Sequence, residues 1–192
     1  MKINGVELHI GPGANLSGAD LTRANLTGAN LTGADLTEAN LTRAGLSGAT
    51  LTGATLIGAN LIGADLIEAD LTWADLTWAN LTEADLIEAN LSGAYYNPVI
   101  LLSQVNWVNV SDNLCKILMA YDAQNHPNPS AFNEWKKTLN CPYDGMNIFR
   151  AVNFHQDVEL WDKRLITKKI PSALGILKML FKEKGIKSEL LK

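Results

Sequence analysis

Between residues 14 and 93, leucine and alanine recur in a frame that never slips. The stretch divides into sixteen consecutive pentapeptides, each with Ala first and Leu third, from Ala14/Leu16 to Ala89/Leu91. The second position is Asn, Asp, Thr or Gly, the fourth Thr, Ser or Ile, and the fifth mostly Gly, Glu, Arg or Trp. A helix cannot use this pattern, because at about 100° per residue successive leucines would sit roughly 140° apart and spiral over the whole surface. A plain strand fails as well, since an odd period sends alternate leucines to opposite faces. Ala and Leu two residues apart do share one face of an extended segment. The remaining three residues must therefore turn the chain so that the next Ala points inward again. Short straights joined by regular corners make a solenoid.

The motif A-[DN]-L-[ST]-x resembles that of the pentapeptide-repeat family, and the resemblance covers residues 14–93. It implies an all-β, right-handed quadrilateral β-helix with one pentapeptide per side and twenty residues per coil. Sixteen words then make four coils, a rod roughly 19 Å long at the ~4.8 Å strand spacing. Leu16, Leu36, Leu56 and Leu76 form one stack, and each buried Leu contributes about 1.5–3 kcal/mol. Asn, Asp, Thr and Gly near the corners suit turns and local side-chain bonding.

The ends of such a coil need covering. Val6-Glu7-Leu8-His9-Ile10 alternates and is predicted to be a capping strand, with Gly11-Pro12-Gly13 turning into the repeat, so residues 1–13 form the N-terminal cap. The β-helix runs over 14–96, where Ala94-Tyr95-Tyr96 begins a degenerate seventeenth word. Residues 97–110 are the connector, and apolar Val99–Val110 is predicted to cover the last coil as an irregular strand. Beyond residue 110 the five-residue period is gone, and 111–192 is predicted to be a small, mainly α-helical C-terminal domain. Ser111 or Asp112 caps a first helix to about Gln124 carrying Leu114, Leu118 and Tyr121. Ser130 caps a second with Phe132, Trp135 and Leu139. Pro171-Ser172 opens a third with Leu174, Leu177, Leu180 and Phe181, ended by Gly185. Part of this extension faintly resembles tails of some bacterial and phage pentapeptide-repeat proteins, a likeness that carries no activity.

Charge divides the chain further. Residues 14–93 carry six Asp and four Glu against two Arg, whereas 94–192 carry thirteen Lys or Arg against nine acids. The N-terminus shows no export signal and no stretch reaches ~18 consecutive apolar residues. A cytoplasmic protein without a membrane span is expected. The Asn-Leu-Ser/Thr triplets are then by-products of the repeat rather than glycosylation sites.

Candidate chemistry is sparse. By the family register, word positions four and five face solvent, and coils three and four place Ile57, Ile62, Ile67, Ile87, Trp73 and Trp78 there. Such an apolar patch is expected to meet the chain's own C-terminal domain, a second copy in a homodimer, or a protein partner. Asp65, Asp70, Asp75, Asp85, Glu68, Glu83 and Glu88 give the same coils a negative field. Some family members imitate duplex DNA at type II topoisomerases, so the resemblance raises that role, although Arg23 and Arg43 interrupt the first two coils. Cys115, His126, Cys141 and His155 are a weak metal set, because zinc sites favour closely spaced Cys pairs. Asp122, His126 and Cys141 serve an enzyme only if the fold gathers them, and no catalytic or cofactor motif is present. Two basic clusters near the C-terminus read as a solvated helix face rather than a nucleic-acid site. The expectation is a non-enzymatic interaction or scaffold protein without cofactor. The alternatives are a DNA-mimicking topoisomerase modulator and a small metal-binding or enzymatic C-terminal module.

Overall fold

Why Asn or Asp recurs at the second position is visible in the corners. In thirteen of the sixteen words its Oδ1 accepts the backbone N–H two residues on, at 2.9–3.2 Å. The three exceptions have Gly45, Thr50 or Thr55 there, which lack that acceptor. The Ala N–H of the next word then donates back to the Leu carbonyl, as from Ala39 to Leu36 at 3.0 Å. Each corner is thus a β-turn braced by an Asx side chain. Its third residue, at word position five, has positive φ throughout, whether Gly18 (64°) or Trp78 (61°).

The computed structural model describes residues 1–97, 101–102, 104, 110–125, 161–162, 164 and 169–188. Four corners close a coil, and parallel pairing joins residues twenty apart, from Asn15↔Asp35 to Asp75↔Tyr95. Leucine N–H groups donate to the carbonyl nineteen residues on, as from Leu36 to Thr55 at 2.7 Å. All sixteen repeat leucines are at most 3% exposed. The result is a right-handed quadrilateral β-helix. Its first side holds the words starting at Ala14, Ala34, Ala54 and Ala74. The second side starts at Ala19, Ala39, Ala59 and Ala79, and the third and fourth follow at Ala24 and Ala29 and their twenty-residue successors.

At the N-terminal end the expected strand over Val6–Ile10 is shorter. Strand β1 (Lys2–Ile3) pairs antiparallel with β2 (Val6–Glu7). Asn4-Gly5 at positive φ makes the tight turn between them. Ile3 rather than Val6 is buried, and the Asn4 amide donates to the Asp20 carbonyl of the first coil at 3.1 Å.

The C-terminal end departs from expectation more. Residues 101–102 and 104 are helical, not extended, with buried Leu101 and Leu102. Gln104 accepts the N–H of Glu83 through its carbonyl (3.0 Å) and that of Leu81 through Oε1 (3.1 Å). Residues 184–188 supply further backbone partners. Glu88 donates to the Lys184 carbonyl at 3.1 Å, Leu91 donates to that of Lys187 at 2.7 Å, and Lys187 donates back to Ala89 at 2.9 Å. Continuation of the nineteen-residue rule would put these acceptors at positions 107 and 110. Lys184 and Lys187 therefore fill those places in a partial fifth coil. Gly185 has a φ of 68°, and a Cβ on it would lie 3.3 Å from Glu88 Cγ.

The chain accordingly divides into one unit of Met1–Asn106 with Lys184–Lys192 and a second of Trp107–Glu183. The helical unit is inserted into the fifth coil rather than appended after it. Within it, α1 (Asp112–Asn125) packs on α2 (Ala173–Glu183). Ser111 caps α1, its Oγ accepting the Leu114 N–H at 3.4 Å, and Ser172 Oγ accepts the Gly175 N–H at 3.2 Å. Tyr121 is only half-buried, whereas Ile117, Met119 and Ala120 join Leu114 and Leu118 inside, so α1 buries most of its circumference. On α2, Leu174 is exposed and Ile176 takes its place beside Leu177, Leu180 and Phe181. Ser111 Oγ also donates to Glu183 Oε2 at 2.8 Å, and its N–H bonds Oε1, tying the start of α1 to the end of α2. The expected second helix from Ser130 lies outside the described residues.

Candidate functional site: the first side of the β-helix

Word position five has a conformational requirement as well as exposure. L-residues with a side chain are disfavoured at positive φ, and bulky ones most. Eight of these sixteen corners carry Gly. Trp73 (φ 59°) and Trp78 (φ 61°) occupy it nonetheless, at 63% and 77% exposure. Their indoles face solvent from positions that the backbone would rather give to Gly.

The twenty-residue geometry separates the six apolar candidates. Trp73 ends the fourth side, while Trp78 and Ile57 mark the corner after the first. Ile62 is on the corner after the second side, and Ile67 and Ile87 stack on the corner after the third. They are spread over all four corners, because consecutive words occupy consecutive sides. Ile57, Ile62 and Ile67 are half-buried, and Ile87 is 36% exposed.

Trp73 and Trp78 do bracket one side, the word Ala74-Asp75-Leu76-Thr77-Trp78. Directly below Asp75 in the ladder is Tyr95, 62% exposed. Three exposed aromatics thus occupy the two corners of the side that holds Asp75 and the rung below it. Below Trp73 in its own column is Gly93, where an added Cβ would lie 2.6 Å from the indole Cζ3 and 2.7 Å from Cδ2. The ring rests on the bare glycine, in space that a side chain there would fill. Above Trp78, Glu38 extends over Gly58, its Cγ 3.5 Å from where a Cβ would be. Tyr95, Glu38 and Gly93 were not singled out from the sequence; counting twenty residues from each tryptophan and from Asp75 would have found Tyr95 and the glycines.

The acidic candidates divide by side too. Asp65 and Asp85 stack on the third side with Glu68 and Glu88 at its corner, Glu83 ends the second, and Asp70 lies on the fourth. Each named Asp uses one oxygen for its turn. Asp70 is held below the ordinary carboxylate value of 3.8: burial raises it, but bonds from the Thr72 hydroxyl and amide and the Thr52 hydroxyl, with the Lys187 charge, outweigh that. Asp20 and Asp35 are lowered first by the hydroxyls of Thr22 and Thr37 and then by their amides. On the second side Arg23 and Arg43 line a shallow basin with Asn4, Asp20 and Ile62, which breaks the negative field.

Among the described residues no cluster of His, Cys, Asp and Glu has metal-binding geometry. Cys115 is buried on α1, and Asp122 is on the same helix. His126, Cys141 and His155 lie outside the described residues.

The family profile of pentapeptide repeats matches in eight copies over residues 13–43, 44–82 and 69–95. A thylakoid-lumen pentapeptide repeat protein from Arabidopsis thaliana is 30% identical over 57% of this chain and 77% of its own, with a TM-score of 0.40. This chain belongs to the pentapeptide-repeat family. HetL, a pentapeptide repeat protein involved in heterocyst differentiation regulation in the cyanobacterium Nostoc sp. strain PCC 7120, is 50% identical over 41% of the chain, with a TM-score of 0.40. The match spans 36% of HetL's length. QnrB1, a plasmid-mediated fluoroquinolone resistance protein, is 19% identical over 43% of this chain and 53% of its own, at a TM-score of 0.35. No curated protein matches the chain. Among the described residues no helix is long and apolar enough to cross a membrane.

Proposed function

We propose that the chain is a non-enzymatic interaction protein, in which the β-helix is a rigid scaffold and its first side a binding surface. The observation that carries this reading is the placing of two exposed tryptophans at positive φ. Neither the core nor the corner geometry asks for them, and large exposed aromatics are typical anchors of protein contacts. The backbone ladder beneath Trp73 and Asp75 is regular, so a partner meets a preformed surface there.

The test uses a Trp73→Asn, Trp78→Asn double variant, since Asn tolerates positive φ. Bait proteins of both forms are compared in quantitative capture from a bacterial lysate, with far-UV circular dichroism checking the fold. A protein retained by the wild type and lost by the folded variant supports the reading, and retention of the same proteins by both forms removes it.

A second reading, mimicry of duplex DNA at a type II topoisomerase, draws on the stacked Asp65/Asp85 and Glu68/Glu88 columns of the third side. It predicts protection of DNA supercoiling against a quinolone at micromolar protein. Absence of protection there excludes it.

A further inference from the structure

We infer that the first side binds an extended basic segment of a protein partner, with Lys or Arg side chains seated over Trp73, Trp78 and Tyr95. This rests on the proposed binding role of that side and adds the chemistry of the partner. Charge complementarity carries it. The column down this side reads Asn15, Asp35, Thr55, Asp75, Tyr95, and Glu38 extends over Gly58 towards the Trp78 corner. Among the described residues neither Asp75 nor Glu38 has an ion-pair partner. The fourth side differs: its column Asp70, Asn90 ends on Lys187, whose charge acts on Asp70. There the chain supplies its own cation two rungs below the carboxylate, whereas on the first side the rung directly below Asp75 holds an aromatic ring.

Aromatic faces attract cations within about 6 Å of the ring, Arg more often than Lys, and nearby carboxylates add to the attraction. A five-residue word spans at most about 17 Å, so an extended segment can reach both tryptophans with two basic side chains. The Trp73 ring already lies against Gly93 before the partner arrives, and a ring packed in advance reduces the ordering cost of binding.

The test titrates the full chain with fluorescein-labelled hexa-arginine, and with neutral and acidic hexapeptides carrying the same label, read by anisotropy. Saturable hexa-arginine binding is expected, weakened at least tenfold by Trp73→Asn/Trp78→Asn and separately by Glu38→Gln/Asp75→Asn, and falling with salt. Hexa-arginine binding that survives the tryptophan variant reports only the diffuse acidic field and overturns the inference, as does no binding at all. If the neutral peptide binds through the tryptophans and hexa-arginine does not, the binding side stands and the basic partner falls. If no peptide responds to the tryptophan variant and lysate capture is unchanged by it, both fall.

Discussion

At the scale of single residues, the word assigns each position a separate physical task. The second position supplies a turn acceptor, so Asn60→Ala is expected to lower stability by about 0.5–1.5 kcal/mol, the usual net worth of one hydrogen bond, measured by urea unfolding. Asp75→Asn keeps that acceptor and should be neutral at pH 7. The same bonds set an acid dependence. Asp20, Asp35 and Asp70 have folded values below the ordinary 3.8. Their stabilisation is therefore complete above that value and is lost as pH falls through and below it. The urea midpoint should drop between pH 5 and pH 2, and Asp70→Asn should flatten part of that drop. Gly93 has two duties, positive φ and a flat bed for Trp73. Gly93→Ala is expected to cost more than the ~1–2 kcal/mol of the conformation alone and to alter the Trp73 fluorescence.

Among elements, the coil was legible because Ala and Leu repeat without a slip, and an odd period of five excludes both a helix and a flat strand. The Asx role of position two was legible for the same reason, since Asn and Asp share one chemistry. Position five was not. Gly, Glu, Arg and Trp have solvent in common, and only the backbone shows that they share a positive φ. The six apolar candidates looked like a patch because they are neighbours in sequence, but a four-sided coil distributes neighbours around its corners. The seat of Lys184–Ser188 was hidden most deeply. Its pairing partners, Glu88 to Leu91, are about a hundred residues earlier, and Gly-Ile-Lys-Ser offers neither the Ala nor the Leu of a word. Within the coil, Leu51→Ala should cost about 2–5 kcal/mol, because sheet-bound walls relax little into the cavity, checked by the same unfolding assay.

Over the whole molecule, the helical unit is an insertion whose two ends are joined by Ser111 and Glu183. The β-helix with 107–183 replaced by a short Gly-Ser linker should keep its circular dichroism and cooperative melting. Removal of Lys184–Ser188 from that shortened chain should lower its melting temperature, since Glu88 and Leu91 lose their acceptors. What holds the fold, the leucine stacks and braced corners, is separate from what the fold displays, the aromatic first side. The most direct measurement is the unfolding free energy in urea of the Trp73→Asn, Trp78→Asn variant against the wild type. A loss below about 2 kcal/mol for the pair is predicted, because both rings are mostly exposed and Asn relieves the positive φ. A loss of about 4 kcal/mol or more, in the range of truncating a buried aromatic, would make the tryptophans part of the core and contradict a displayed binding side.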